Sequence, residues 1–141
     1  MRRLLLVVLL LAACASPGVA ERSPDRDPGG SVVLRVLEIA ALEARGEEKR
    51  VGGECLSACT MYLGLSTACF ERGATLGFHG PTLAFGVEMT PARFEAITQA
   101  MASYYPPRIA RLFMEDWRHR QDFVRIPARR LIAQGEARAC R

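Results

Sequence analysis

This chain of 141 residues has no apolar run long enough to hold it permanently across a membrane. Its main apolar run, Leu4 to Leu11, is far shorter than the roughly 20 residues that a spanning helix needs. A phosphate-binding loop of the GxxxxGK[ST] type is missing, which excludes a nucleotide-driven motor of that kind. A strong charge imbalance is missing too. The formal charge is +4, and without Arg2 and Arg3 it falls to 17 basic against 15 acidic residues, or +2. That excess is too weak to argue for nucleic acid as a partner. The arginines that gather late (Arg118, Arg120, Arg125, Arg129, Arg130) read as a solvated helix face rather than an anion site. There is no internal repeat and no low-complexity tract. What is present is one small domain, half of it apolar residues and therefore able to form a core.

Residues 1–20 have the pattern of an export signal: Arg2 and Arg3 form the positive start and Leu4 to Leu11 the apolar stretch. Two cleavage points are readable. Leu11-Ala12-Ala13-Cys14 resembles the lipobox of bacterial lipoproteins, in which the cysteine is lipidated; Gly18-Val19-Ala20 resembles an ordinary signal-peptidase site. Either places the chain in the periplasm, and a lipid on Cys14 tethers it to the periplasmic face of a membrane.

Export sets the cysteine chemistry. With Cys14 given to lipid, Cys55, Cys59, Cys69 and Cys140 remain, and an even count in an oxidising compartment predicts two disulfides with three pairings open. A helix between Cys59 and Cys69 would return the chain for that bridge and leave Cys55 to pair with Cys140. The alternative is a metal site from Cys55, Cys59, Cys69 and His79, whose spacings exceed those of usual zinc pairs. No metal or other cofactor is expected.

Along the chain, Glu21 to Gly30 reads as a linker or glycine loop, and residues 31–141 as the folded domain. Val33, Val36, Leu37, Ala40 and Ala44 form a helical stripe, with Arg35, Glu38 and Glu43 off it, and Gly46 stops the helix. Arg50 to Cys55 is extended, Ala58 to Leu65 helical, and Phe70 to His79 a strand with a turn at Glu71 to Gly73. Thr90-Pro91 starts a helix whose buried face is Phe94, Ile97, Met101 and Tyr105. Ile109, Leu112, Phe113, Asp116 and Trp117 form another stripe, and Pro127 opens a last short helix closed by Gly135. The fold class is α/β: a short, mostly parallel sheet flanked by helices, with a helical C-terminal part.

The chemistry gathers between Gly52 and Pro81. Ser57 lies between Cys55 and Cys59 at a strand-to-helix junction, and His79 ends the strand that follows. A serine before a helix is usually a cap, and a histidine at a strand end is usually structural. Together they form the pair that acyl transfer needs, a hydroxyl to attack a carbonyl and an imidazole to take its proton. Small residues flank the serine, and the Ala58 amide at a helix start suits an oxyanion.

The order PGGSV (Pro28 to Val32), a helix, GECLSACT, then ATLGFHGP resembles the Clp protease proteolytic subunit and its crotonase-superfold relatives. It is most similar to exported Clp-protease-like proteins of bacteria, with a cysteine-flanked serine followed by GFH. The resemblance implies Ser57 as nucleophile, His79 as general base, and Gly29, Gly30 and Ala58 as oxyanion-binding amides. It implies Asp122 as the acid of a triad, with Asp116 as the alternative, and a peptide or small ester as substrate. It also implies strands before the glycine loop, where this chain has little but a leader. A truncated fold of this kind leaves a sheet edge that a second copy of the chain would cover. The alternative reading is an inactive, disulfide-stapled envelope protein that binds or assembles.

Overall fold

The computed structural model describes residues 26–83 and 86–141. The leader, the Cys14 lipobox and the Gly18 to Ala20 cleavage site lie outside these residues. In order, the chain forms strand β1 (Arg26–Asp27), helix α1 (Val32–Arg45) and strands β2 (Lys49–Val51) and β3 (Glu54–Leu56). A 3-10 helix (Ser57–Gly64), β4 (Ala68–Phe70) and β5 (Thr75–Phe78) follow. Helices α2 (Pro91–Ala102) and α3 (Pro107–Glu115), strand β6 (Val124–Pro127) and the short α4 (Ala128–Ala133) complete it.

The architecture is α/β with a mixed four-stranded sheet in the order β1-β3-β5-β6. β3 runs parallel to β1 and β5, whereas β6 is antiparallel to β5. β2 and β4 form a second, two-stranded parallel sheet. The extended segment around Gly52 and Gly53 is therefore two strands in different sheets, and the Glu71 to Gly73 turn performs the same transfer from β4 to β5. Part of the expected linker is strand β1, which among the described residues forms the edge of the larger sheet. β6 is a strand within what the sequence reads as a helical C-terminal part.

Helix α1 forms where the sequence places it. The Ser31 hydroxyl accepts from the Leu34 amide, and Gly46 closes the helix in the left-handed region at φ 60°. Its inward face differs from the expected stripe. Arg35, Ile39 and Leu42 are buried, whereas Val33 and Leu37 stay 66% and 61% exposed. The reason is electrostatic. The Arg35 guanidinium donates to the Asp27 carboxylate at 2.8 Å, to Glu38 at 3.0 Å and to the Tyr62 hydroxyl. A buried charge with that many partners is tolerated, and withdrawing it would strand Asp27. Burial, then the bond to Glu38, pushes the Tyr62 pKa well above its ordinary value.

The core is built around Leu56, Met61, Phe70, Phe78 and Phe113, all essentially inaccessible. The Phe78 ring meets Tyr105 edge-on at 5.5 Å and Trp117 at 5.1 Å, which packs the segments after α2 and after α3 onto β5.

Two disulfides form, Cys55–Cys59 and Cys69–Cys140. This corrects the pairing of Cys59 with Cys69 and of Cys55 with Cys140. Cys55 on β3 and Cys59 one 3-10 turn later have Cα atoms only 5.2 Å apart. Cys69 lies on β4, in the other sheet. There the end of the chain docks beside it: Phe70 donates to the Arg138 carbonyl and Cys140 donates back to Phe70. All four thiols are used, so the alternative Cys55, Cys59, Cys69 and His79 metal set does not form. Among the described residues no helix is long and apolar enough to cross a membrane.

Candidate functional site

Ser57 follows the last residue of β3, and the chain turns there directly into the 3-10 helix. The turn forces the serine to φ 54°, the only non-glycine residue at positive φ among those described. Such a conformation costs energy and persists only where its surroundings over-determine it. Three features hold it. The Cys55–Cys59 disulfide brackets the serine. The buried Thr60 hydroxyl, itself 2.7 Å from the Tyr105 hydroxyl, donates to the Ser57 carbonyl at 2.7 Å. The third is Gly29, on which a Cβ would lie 2.6 Å from both the Leu56 carbonyl oxygen and the Ser57 Cβ. Only glycine allows the loop before α1 to press so closely on the serine.

That loop is anchored by the buried ion cluster. The Asp27 carboxylate accepts from the Gly29 amide at 2.8 Å, and Arg35 donates to the Gly29 carbonyl at 3.2 Å. The amide expected to bind an oxyanion at Gly29 is thus already used. The Gly30 and Ala58 amides have no acceptor among the described residues. Ala58 belongs to the first turn of the 3-10 helix, whose amides have no partner within it. Two backbone amides, Gly30 in the cavity lining and Ala58 next to the serine in the chain, are therefore left without an acceptor among the described residues. Arg35 is a positioning residue that the stripe reading missed. Its signal was legible, because Arg35, Ile39 and Leu42 recur at helical spacing on one face.

His79 follows β5, the strand parallel to β3. Leu56 pairs with Gly77 in the sheet register, so Ser57 and His79 leave the C-terminal ends of neighbouring parallel strands. That end of an open α/β sheet is where ligands usually bind. Both residues line one cavity of about 560 Å³, closed on its other sides by the start of α1, by α2 and by Phe123. The hydroxyl and the ring share no hydrogen bond here. Such bonds are often long in unliganded sites and tighten when substrate binds.

The imidazole turns Nδ1 inward, where it is buried and has no partner among the described residues. Its accessible nitrogen is Nε2. Burial lowers the His79 pKa, because a charged ring loses solvation there. Neither expected acid reaches it. Asp116 ends α3 facing outward and pairs with Arg120 at 2.8 Å. Asp122 is exposed. The next residue, Phe123, puts its ring 4.5 Å from the imidazole in an edge-to-face contact. An aromatic ring thus stands beside the imidazole where an acid was expected. The site is a serine and a histidine with two amides, without a carboxylate on the ring.

Comparison of the chain with protein-family models, with curated proteins and with solved structures finds no match to any of the three.

Proposed function

We propose that the chain is an exported serine hydrolase of the Clp/crotonase superfold that cleaves a peptide or small ester bond without ATP. One observation carries this reading. Ser57 is held at positive φ, with the Gly30 and Ala58 amides free of acceptors among the described residues, on the same cavity as a histidine whose pKa burial lowers. In the step proposed, Ser57 Oγ attacks the carbonyl carbon while His79 Nε2 takes the hydroxyl proton. The Gly30 and Ala58 amides receive the developing oxyanion. The proton passes from Nε2 to the departing amine or alcohol. Water then adds to the acyl-serine by the same base, releasing the acid and restoring the hydroxyl. The glycine loop, strained serine and strand-end histidine arrive in the order of the resemblance, which supports the superfold reading. Two disulfides fit an oxidising compartment and so support export. A lipid on Cys14 and a second copy on the β1 edge belong to the same proposal.

A fluorophosphonate probe tests it. Wild type should be labelled and Ser57→Ala should not; folded but unlabelled wild type would sink the hydrolase. The pH profile of labelling gives a second check. A ring whose pKa lies below its ordinary value of about 6.5 stays neutral, and able to accept a proton, to lower pH. The labelling rate should therefore hold at pH 6.5 and fall only below it. A midpoint at or above that value contradicts a base made less basic by burial.

A second reading has its own observation. His79 Nδ1 is buried without an acceptor, so an N–H there would go unpaired; in this reading the neutral ring carries its proton on Nε2, the wrong tautomer for a base. This favours an inactive binding or assembly module that uses the same cavity, and absent labelling selects it.

A further inference from the structure

We infer that the cavity beside Ser57 takes an apolar ligand bearing one carboxylate, with Arg93 as the anchor for that charge. The inference names the substrate class of the proposed hydrolase and rests on the reading that this cavity is the substrate site.

Apart from Ser57, His79, Arg93 and two hydroxyls at Ser31 and Thr82, the described lining is apolar or backbone. Val32, Val33, Leu83, Met89, Ile97 and Met101 form its walls. At about 30 Å³ for each water-sized group, its volume of about 560 Å³ holds roughly 19 such groups. A short acyl chain or one large apolar side chain fits, and a polar sugar would leave its hydroxyls without partners.

Arg93 is the only residue with a permanent charge in that lining. It sits in the first turn of α2 and is exposed, so the residue that lines the cavity also meets solvent. Nothing among the described residues neutralises it. The acid nearest along the same helix, Glu95, is taken by Arg118 at 2.7 Å. Most other arginines that pack on the domain have carboxylate partners: Arg35 with Asp27, Arg108 with Glu136, Arg120 with Asp116 and Arg138 with Glu48. An unpaired guanidinium at the rim of an apolar cavity selects a ligand with one anionic end, and its planar fork matches a carboxylate in two hydrogen bonds.

The test uses two eight-carbon ligands that the site cannot hydrolyse, octanoate and 1-octanol, titrated into the folded domain by calorimetry. Octanoate should bind about five- to tenfold more tightly than octanol. Arg93→Gln should bring that ratio close to one and leave octanol unchanged, whereas Arg93→Lys should keep most of it. Arg93 contributes its backbone amide, not its side chain, to the Thr90 cap, so these exchanges leave the start of α2 intact. Equal binding of the two ligands by wild type, or a ratio insensitive to Arg93→Gln, would overturn the inference. The failure of the hydrolase reading shows separately, as absent fluorophosphonate labelling with charge-selective binding still in place.

Discussion

Replacing Cys69 and Cys140 together by alanine should lower the free energy of unfolding by about 4 kcal/mol, about twice the loss from the same exchange at Cys55 and Cys59. The two bonds differ in what they do to the unfolded chain. Cys69–Cys140 closes a loop across a sequence separation of 71, whereas Cys55–Cys59 spans 4. Loop-closure entropy grows with the logarithm of length, which gives about 4 kcal/mol for the long loop and about 2 kcal/mol for the short one. The loops follow each other along the chain without overlap, so the two losses should add. Urea unfolding of the two double variants and of the quadruple variant under oxidising conditions measures this. Equal losses, or a larger loss at Cys55 and Cys59, would show that native-state strain outweighs chain entropy. Labelling by the fluorophosphonate should reverse the order. The short bond brackets Ser57, and without it the serine can relax from φ 54°, while the long bond ties the C-terminus to the second sheet, away from the serine.

Gly80→Ala should destabilise the domain by about 3 kcal/mol or more and remove labelling in whatever protein folds. A Cβ on Gly80 would stand 1.9 Å from the Arg118 carbonyl oxygen and 2.8 Å from its carbon. These are backbone atoms, so no side chain can swing aside. The Gly80 amide also donates to the Arg120 carbonyl at 2.9 Å, which fixes the same segment against it. Making room means pushing the turn after α3 off the end of β5, and His79 lies on that end. Gly73→Ala is the control. Its Cβ meets nothing within 4 Å and its φ is not in the left-handed region, so stability should stay the same or rise slightly. Chemical unfolding of both variants decides; a loss at Gly80 no larger than at Gly73 would mean the turn yields freely.

Several parts of the fold were legible because their signals are local. Gly46 and Thr90-Pro91 mark helix ends, and each acts through groups within a few residues, whereas the Ser31 cap was not read. An even set of four cysteines announced two disulfides. Ser57 at a strand-to-helix junction was readable from the small residues around it. The pairing of the cysteines was not, because it depends on β4 leaving the larger sheet and on a C-terminal tail returning to it. The rotation of α1 was misread because an arginine on an apolar face looks like an error until Asp27 and Tyr62 are placed against it. Asp116 failed for the converse reason: it follows the stripe of α3, but the helix ends at Glu115 and the residue turns out to Arg120.

On its own, the order of residues determined an α/β domain with two bridges, a serine entering a helical turn and a histidine ending a strand. Each of these follows from short-range backbone preference and from counting. Only the tertiary structure decided which sulfurs meet, which glycine amide stays open and that a phenylalanine stands beside the imidazole. Those outcomes depend on how strands share sheets and on where buried charge finds a partner, and such contacts join residues far apart along the chain.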